Sequence, residues 1–244
     1  NYMTDYLINV ISASIGTGIA EILTLPICTI RTNYINQNVL PNQNKQSIRQ
    51  IIQLNYSQYG FKWFVSAKYS AIFGQILSTS SKYSLYRFLP SIKKELGHGE
   101  IENKILDNIS NGIIGGVVTC SITQPLDYIK INQQMHSTFA LSDMYKGFSR
   151  NLTKATIGGA SFFPIYDFVK SYTSNSILSS FVSAVISTTL MQPFDYAKVR
   201  KIYGKDLGSI KNIYTGLSLN LLRIVPHFII TMYITENVSK SLNH

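Results

Sequence analysis

The chain has 244 residues, 45% of them hydrophobic and only 14% charged, with 22 Lys and Arg against 12 Asp and Glu for a formal charge of +10. That is too apolar for an ordinary soluble domain, while a mean hydropathy of only +0.08 excludes helices that are apolar all round and favours helices with one wet stripe, as around an aqueous cavity. Nucleic-acid binding is set aside, because no basic run with interleaved aromatics occurs and several Lys and Arg lie inside or beside apolar segments.

In chain order, segments long enough to span a bilayer, roughly 20 residues each, are expected at about 6–33, 64–89, 105–132, 152–172, 176–202 and 217–240. Nothing at Asn1-Tyr2-Met3 resembles the basic, then apolar, then small-residue pattern of a cleavable signal, so targeting information is expected to be internal. Cys28 and Cys120 stand far apart in apolar stretches and form neither a disulfide framework nor a metal-ligand spacing.

Internal repetition is the strongest feature. Three stretches superimpose without gaps: Pro26-Ile27-Cys28-Thr29-Ile30-Arg31, Pro125-Leu126-Asp127-Tyr128-Ile129-Lys130 and Pro193-Phe194-Asp195-Tyr196-Ala197-Lys198. Gln124 and Gln192 precede the second and third prolines, and Gly16, Gly115 and Ser183 stand ten residues before the three prolines, with Ser12, Asn111 and Ser179 four earlier. Small residues at that spacing let membrane helices approach closely. A second block recurs downstream, from Tyr145-Lys146-Gly147 to Lys154 and from Tyr214-Thr215-Gly216 to Arg223. Repeat 1 is the divergent copy, with a polar insertion around Asn33 to Gln50 and a long link from Ser91 to Asn103. Repeats of this length argue for three units around a pseudo-threefold axis, with bounds at 1–103, 104–174 and 175–244.

A proline inside a membrane helix removes one backbone donor and bends the helix, so Pro26, Pro125 and Pro193 predict three equivalent kinks. The acid two residues after the proline and the base five after it would meet near the converging helix ends, where each acid reaches the next repeat's base. One such motif alone reads first as a helix end with interfacial charges; three aligned copies reverse that and favour a ring of ion pairs closing one mouth.

These motifs resemble the mitochondrial carrier family over essentially the whole chain. Its odd helices carry Pro-x-[Asp/Glu]-x-x-[Lys/Arg], and its even helices carry [Phe/Tyr]-[Asp/Glu]-x-x-[Lys/Arg], matched by Tyr166-Asp167-Phe168-Val169-Lys170 and partly by Tyr83-Ser84-Leu85-Tyr86-Arg87. The resemblance implies an all-α membrane protein of six transmembrane helices in three tandem two-helix repeats, working by alternating access between two gates in the mitochondrial inner membrane. The matrix gate would pair Asp127 with Lys198 and Asp195 with Arg31, leaving Lys130 opposite Cys28 without an acid. The cytoplasmic gate would draw on Asp167 and Glu236 as acids and on Arg87, Lys170 and Lys240 as bases, with Ser84 breaking one pair. Roughly two bridges per gate are therefore expected.

The family's cardiolipin motif is matched by Tyr145, Lys146 and Gly147 and in part by Gly216, implying a structural lipid rather than a cofactor; an interfacial aromatic anchor explains either triplet equally well. Family substrate contacts lie about thirteen residues before the even-helix acid, which gives Lys154 and Arg223, with Lys68 and Gln75 on the second helix and Glu21 facing the same cavity. The alternative is that these bases snorkel to an interface. Cations at mid-depth imply an anionic solute, since the Arg fork suits phosphate or carboxylate.

No Arg-Arg-Arg-Met-Met-Met run occurs, which argues against an ordinary ADP/ATP exchanger. The Ile, Asn, Lys and Tyr bias, with 16 tyrosines, is that of an AT-rich genome. With the short repeats it resembles family members encoded by giant viruses, for which nucleotides or deoxynucleotides lead as solutes and a host mitochondrion as location. A carboxylate or phosphate carrier, or a carrier-fold membrane adaptor that no longer transports, remains as an alternative. An enzyme is not expected, because His98, His136, His227 and His244 are scattered and no nucleophile stands beside a base; no metal site is expected, and the chain is expected to be monomeric.

Overall fold

The computed structural model describes residues 2–37, 46–95, 104–138, 140–173, 176–207 and 212–242. Among them all regular structure is helical: α1 (Tyr2–Asn36), α2 (Ile48–Tyr59), α3 (Lys68–Glu95), α4 (Lys104–Gln134), α5 (Phe148–Thr173), α6 (Ser176–Ile202) and α7 (Leu217–Leu242). Six of these match the expected spans and run to 26–35 residues. The short α2 was not expected, although Ser47-x-x-Gln50 marks its start: Ser47 Oγ accepts from Gln50 N at 3.3 Å and Gln50 Oε1 accepts from Ser47 N at 2.8 Å. This reciprocal cap satisfies two backbone donors that the first turn leaves free.

Pro26, Pro125 and Pro193 all lie inside their helices, as do Pro164 on α5 and Pro226 on α7. Hydroxyls along the long helices bond back to carbonyls one turn earlier, Thr24 to Ala20 at 2.7 Å, Thr32 to Cys28 at 3.1 Å and Ser183 to Ser179 at 2.7 Å. Such self-satisfaction lets polar residues sit in apolar surroundings without an outside partner.

The long helices pack in the cyclic order α1, α3, α4, α5, α6, α7 and back to α1. Polarity runs opposite to that of a soluble bundle. On α1 the exposed face carries Leu7, Ile11, Ile15, Ile19 and Ile22, while Ser12, Glu21, Thr24, Thr29 and Arg31 are buried. Leu178, Phe181, Ile186 and Leu190 on α6, and Leu222, Ile229 and Tyr233 on α7, are likewise exposed. An apolar exterior around a polar interior suits a lipid surround. Among the described residues only Val10–Asn36 is both long and apolar enough to cross a membrane by composition alone, because the polar inner stripes dilute the apolar outer faces of the other helices.

Small residues set the closest approaches. Ser12, Ser179 and Ser183 are fully buried, but on α4 the tight contact falls on Gly116 rather than Gly115: a Cβ on Gly116 would lie 2.8 Å from the Ala155 carbonyl oxygen of α5, whereas Gly115 meets nothing within 4 Å. Gly116→Ala must therefore push two helix backbones apart, and overpacking of this kind costs about 1–3 kcal/mol. The expected result is a lower melting temperature for Gly116→Ala in detergent and an unchanged one for Gly115→Ala.

Candidate functional site

The site grows from recurring contacts around the three odd-helix prolines. Gln124, just before Pro125, donates to the Lys146 carbonyl at 3.0 Å and accepts from Asn151 at 2.8 Å. Gln192, just before Pro193, donates to the Thr215 carbonyl at 3.0 Å and accepts from Asn220 at 3.3 Å. Each glutamine is fully buried and ties its helix to the start of the next, α4 to α5 and α6 to α7. At the same turns Gly147 and Gly216 adopt φ of +80° and +83°, and a Cβ added there would lie only 3.1 Å from Ile202 and 3.0 Å from Ile35, respectively. Only glycine takes that backbone region without strain. Gly216→Ala meets both the left-handed penalty, about 1–2 kcal/mol, and the Ile35 side chain, so a drop in melting temperature is expected.

In repeat 1 the same positions have turned apolar. Leu25 stands just before Pro26 and packs with Cys28 and Ala71, all three buried, where repeats 2 and 3 place a glutamine, an aspartate and an asparagine. Asn151 also reaches Asp127 at 3.3 Å, so the glutamine, acid and asparagine of repeat 2 form one bonded group, and replacing any one of them alone would leave buried polar groups unpaired.

Ion pairs join the three motif helices α1, α4 and α6 across the ring. Lys198 on α6 donates to Asp127 on α4 at 2.6 Å, and Arg31 on α1 pairs with Asp195 on α6. Arg31 also donates to Gln192 Oε1 at 3.2 Å and to the Gly216 carbonyl at 3.3 Å. Lys130 corrects the expectation drawn from Cys28. It is not without an acid: it donates to Glu21 of α1 at 2.5 Å. Glu21 precedes Cys28 by seven residues, two helical turns or about 10 Å, so the long lysine side chain finds its carboxylate farther along the same face. Each pair joins helices that are not ring neighbours, so all three lie inside the ring, and they connect α1, α4 and α6 as a triangle. The expected two ties become three.

Two further bases share these acids. Arg223 on α7 donates to Glu21 Oε2 at 2.9 Å, and Lys154 on α5 pairs with Asp195. Their side chains keep 20% and 30% exposure, against 1% for Glu21 and 9% for Asp195, so the bases border open space and the acids do not. His227 lies one turn after Arg223 on α7. With Gln75 at 3.3 Å from its Nε2, its Nδ1 faces Thr24 at 3.4 Å and Glu21 at 3.8 Å. Lys154, Arg223, Gln75 and Glu21 thus face one interior. Lys68 does not join them: it is exposed at the start of α3, 4.8 Å over the Tyr69 ring.

The other end of the ring is less fully described. Lys170 is exposed, 5.3 Å over Tyr166, while the side chains of Arg87, Asp167, Glu236 and Lys240 lie outside the described residues. His98 and His244 do so entirely. Tyr145 is exposed beside Phe148, and Lys146 borders a surface cleft with Arg150, Lys201, Lys205 and Asp206.

No family model matches the chain. The mitochondrial carrier-like protein of Acanthamoeba polyphaga mimivirus is 40% identical over 242 residues, spanning 95% of this chain and 96% of that protein. The chain belongs to the mitochondrial carrier family. Mitochondrial substrate carrier family protein W of Dictyostelium discoideum is 24% identical, covering 96% of this chain and 88% of that protein, and ucpB of the same organism is 23% identical over 72% and 77%. The chain is accordingly a carrier-type solute transporter of a mitochondrial membrane. In this carrier the odd-helix motif is full in repeats 2 and 3 and rewired in repeat 1.

Proposed function

We propose that this carrier moves an anionic solute, nucleotides or deoxynucleotides first among them, across the mitochondrial inner membrane by alternating access. One observation carries the reading: Lys154 and Arg223, at equivalent places in the repeated block, pair with the buried acids Asp195 and Glu21 from α5 and α7 while keeping 30% and 20% of their own side chains exposed. Intramembrane cations with such access mark solute pathways. Arg223 also brings a planar fork of donors, which phosphate fills with two oxygens.

In this reading the six long helices span the membrane as three two-helix repeats about a pseudo-threefold axis, with bounds at 1–103, 104–174 and 175–244. The triangle of Arg31–Asp195, Lys198–Asp127 and Lys130–Glu21 is the matrix gate, and Arg87, Asp167, Lys170 and Glu236 build the cytoplasmic one. Cardiolipin phosphate sits by Tyr145, Lys146, Gly147 and Gly216, supported by the basic cleft that Lys146 borders. The carrier acts as a monomer, and its mimivirus relative supports a viral carrier working in a host mitochondrion.

The test is a thermal-shift screen of the purified carrier against nucleoside triphosphates, deoxynucleoside triphosphates, dicarboxylates and inorganic phosphate, because a solute that binds the folded state raises its melting point. Stabilisation by nucleotides at the lowest concentrations is expected. Stabilisation by a dicarboxylate or phosphate alone would move the assignment to that class, and none at all would contradict it.

A further inference from the structure

Five cations of the ring interior each have a carboxylate: Arg31 and Lys154 share Asp195, Lys130 and Arg223 share Glu21, and Lys198 holds Asp127. Lys82 on α3 differs. It is exposed, and among the described residues its ammonium makes no ion pair or hydrogen bond. The neighbours of α3 show which way it points. A Cβ on Gly74 would lie 3.5 Å from Leu126 of α4, Ile76 lies 3.8 Å from where a Cβ on Gly18 of α1 would be, and Phe73 is exposed on the outer face. The face of Gln75 is left for the interior, and Gln75 meets His227 of α7 there at 3.3 Å. Lys82 follows Gln75 by seven residues, two turns, so it stands on the same face about 10 Å farther along α3. Side chains on a helix lean toward its N-terminus, which brings the ammonium back to where the charges of Lys154 and Asp127 act on it.

We propose that Lys82 is a specificity-determining residue: it binds a further phosphoryl group of a nucleotide whose first is held by Arg223 and Lys154, and so makes the carrier prefer oligophosphates to monophosphates. Lys154 and Arg223 follow Asn151 and Asn220 by three residues, and the same step from Ala71 reaches Gly74. No base stands at that place on α3, so Lys82 is the cation this helix brings to the interior. Asp127 is already held by Lys198, and Lys154 repels Lys82. An incoming anion therefore has most to offer Lys82, the interior base with no acid of its own. A single phosphoryl group occupied by Arg223 and Lys154 leaves that charge unmet, whereas a chain of phosphoryl groups extends to it. The inference rests on the transport reading above and deepens it by naming what sets the preference among phosphate esters.

Dissociation constants for dATP and dAMP, read from ligand-induced thermal shifts of the purified carrier, test this. The parent is expected to bind dATP about tenfold or more tightly than dAMP. Lys82→Gln should weaken dATP about tenfold, the scale of one charged hydrogen bond, and change dAMP by less than about twofold. Lys82→Arg keeps the charge and should keep the preference. Without ligand, both variants should melt like the parent, because Lys82 gives up no partner. Pyrophosphate against phosphate repeats the comparison on the parent alone, with pyrophosphate bound more tightly, so a variant that does not fold leaves the inference open to refutation. If the parent responds to none of the four ligands, the transport reading falls and the role of Lys82 with it. If the parent responds but prefers neither dATP to dAMP nor pyrophosphate to phosphate, or if folded Lys82→Gln weakens dATP and dAMP equally or neither, the role of Lys82 alone is overturned.

Discussion

Asp195→Asn is expected to be the most damaging single substitution in the ring interior. Asp195 is 9% exposed and is the only carboxylate among the described residues that Arg31 and Lys154 pair with, and Arg31 is itself 5% exposed. Asparagine keeps the shape and removes the charge. Arg31 would keep Gln192 and the Gly216 carbonyl but no counter-charge. Breaking a buried pair from one side costs about 3–5 kcal/mol, which in a chain of this size lowers the melting temperature by on the order of 10 °C. Asp127→Asn offers the internal comparison. The Asp127 side chain is 34% exposed, so water compensates for part of the loss and a shift of only a few degrees is expected. Thermal melts of the two variants in the same detergent check the ordering, and equal shifts would mean that burial does not set the strength of these ties.

Arg223→Gln and Lys154→Gln are expected to remove transport while leaving the carrier folded. Glu21 still has Lys130 after the first change, and Asp195 still has Arg31 after the second, so neither acid is left without a cation. The loss falls on the solute. Truncating one partner of a buried charged contact costs about 2–5 kcal/mol, at least thirtyfold in binding. Uptake into proteoliposomes, with melting temperature as the folding control, measures this. Lys68→Gln should transport like the parent, because Lys68 lies over Tyr69 at the outer start of α3 rather than in the interior. A strong effect at Lys68 with none at Lys154 would relocate the site to the helix end.

Much of this arrangement is legible in the sequence because the repeats carry it twice. Gln124 and Gln192 with Asn151 and Asn220, or Gly147 and Gly216, recur at matched places and form matched contacts. The two full motifs likewise identify Asp127 with Lys198 and Asp195 with Arg31 before any coordinates. Glu21 with Lys130 escapes the same argument, since aligning repeats compares equivalent positions and the acid has moved two turns from its own. The signal available was an acid in the middle of an apolar helix, which demands a counter-charge. Motif alignment at Cys28 draws attention away from it.

The apolar cluster of Leu25, Cys28 and Ala71 escaped for a related reason. Only their contact in space shows a packed cluster where repeats 2 and 3 have a polar clamp. Ala71 packs beside Leu25 much as Asn151 meets Gln124, although it stands thirteen residues before Ser84, as Lys154 stands thirteen before Asp167. Counting along a helix assumes that the helix starts in register with its repeats, and α3 enters through the 3-10 turn at Gly60–Val65 instead of the glycine turn that precedes α5 and α7. The amphipathic α2 went unseen because it is short and lies next to a polar insertion, where periodicity has little length in which to register.

Uptake of labelled dATP into cardiolipin-containing proteoliposomes, competed by unlabelled nucleotides, phosphate and malate, tests the central claim most directly. The account predicts saturable uptake that nucleotides of two or more negative charges suppress and that Arg223→Gln abolishes. Uptake no faster than into protein-free vesicles for dATP, phosphate and malate alike, with a carrier whose melting curve shows it folded, would contradict it.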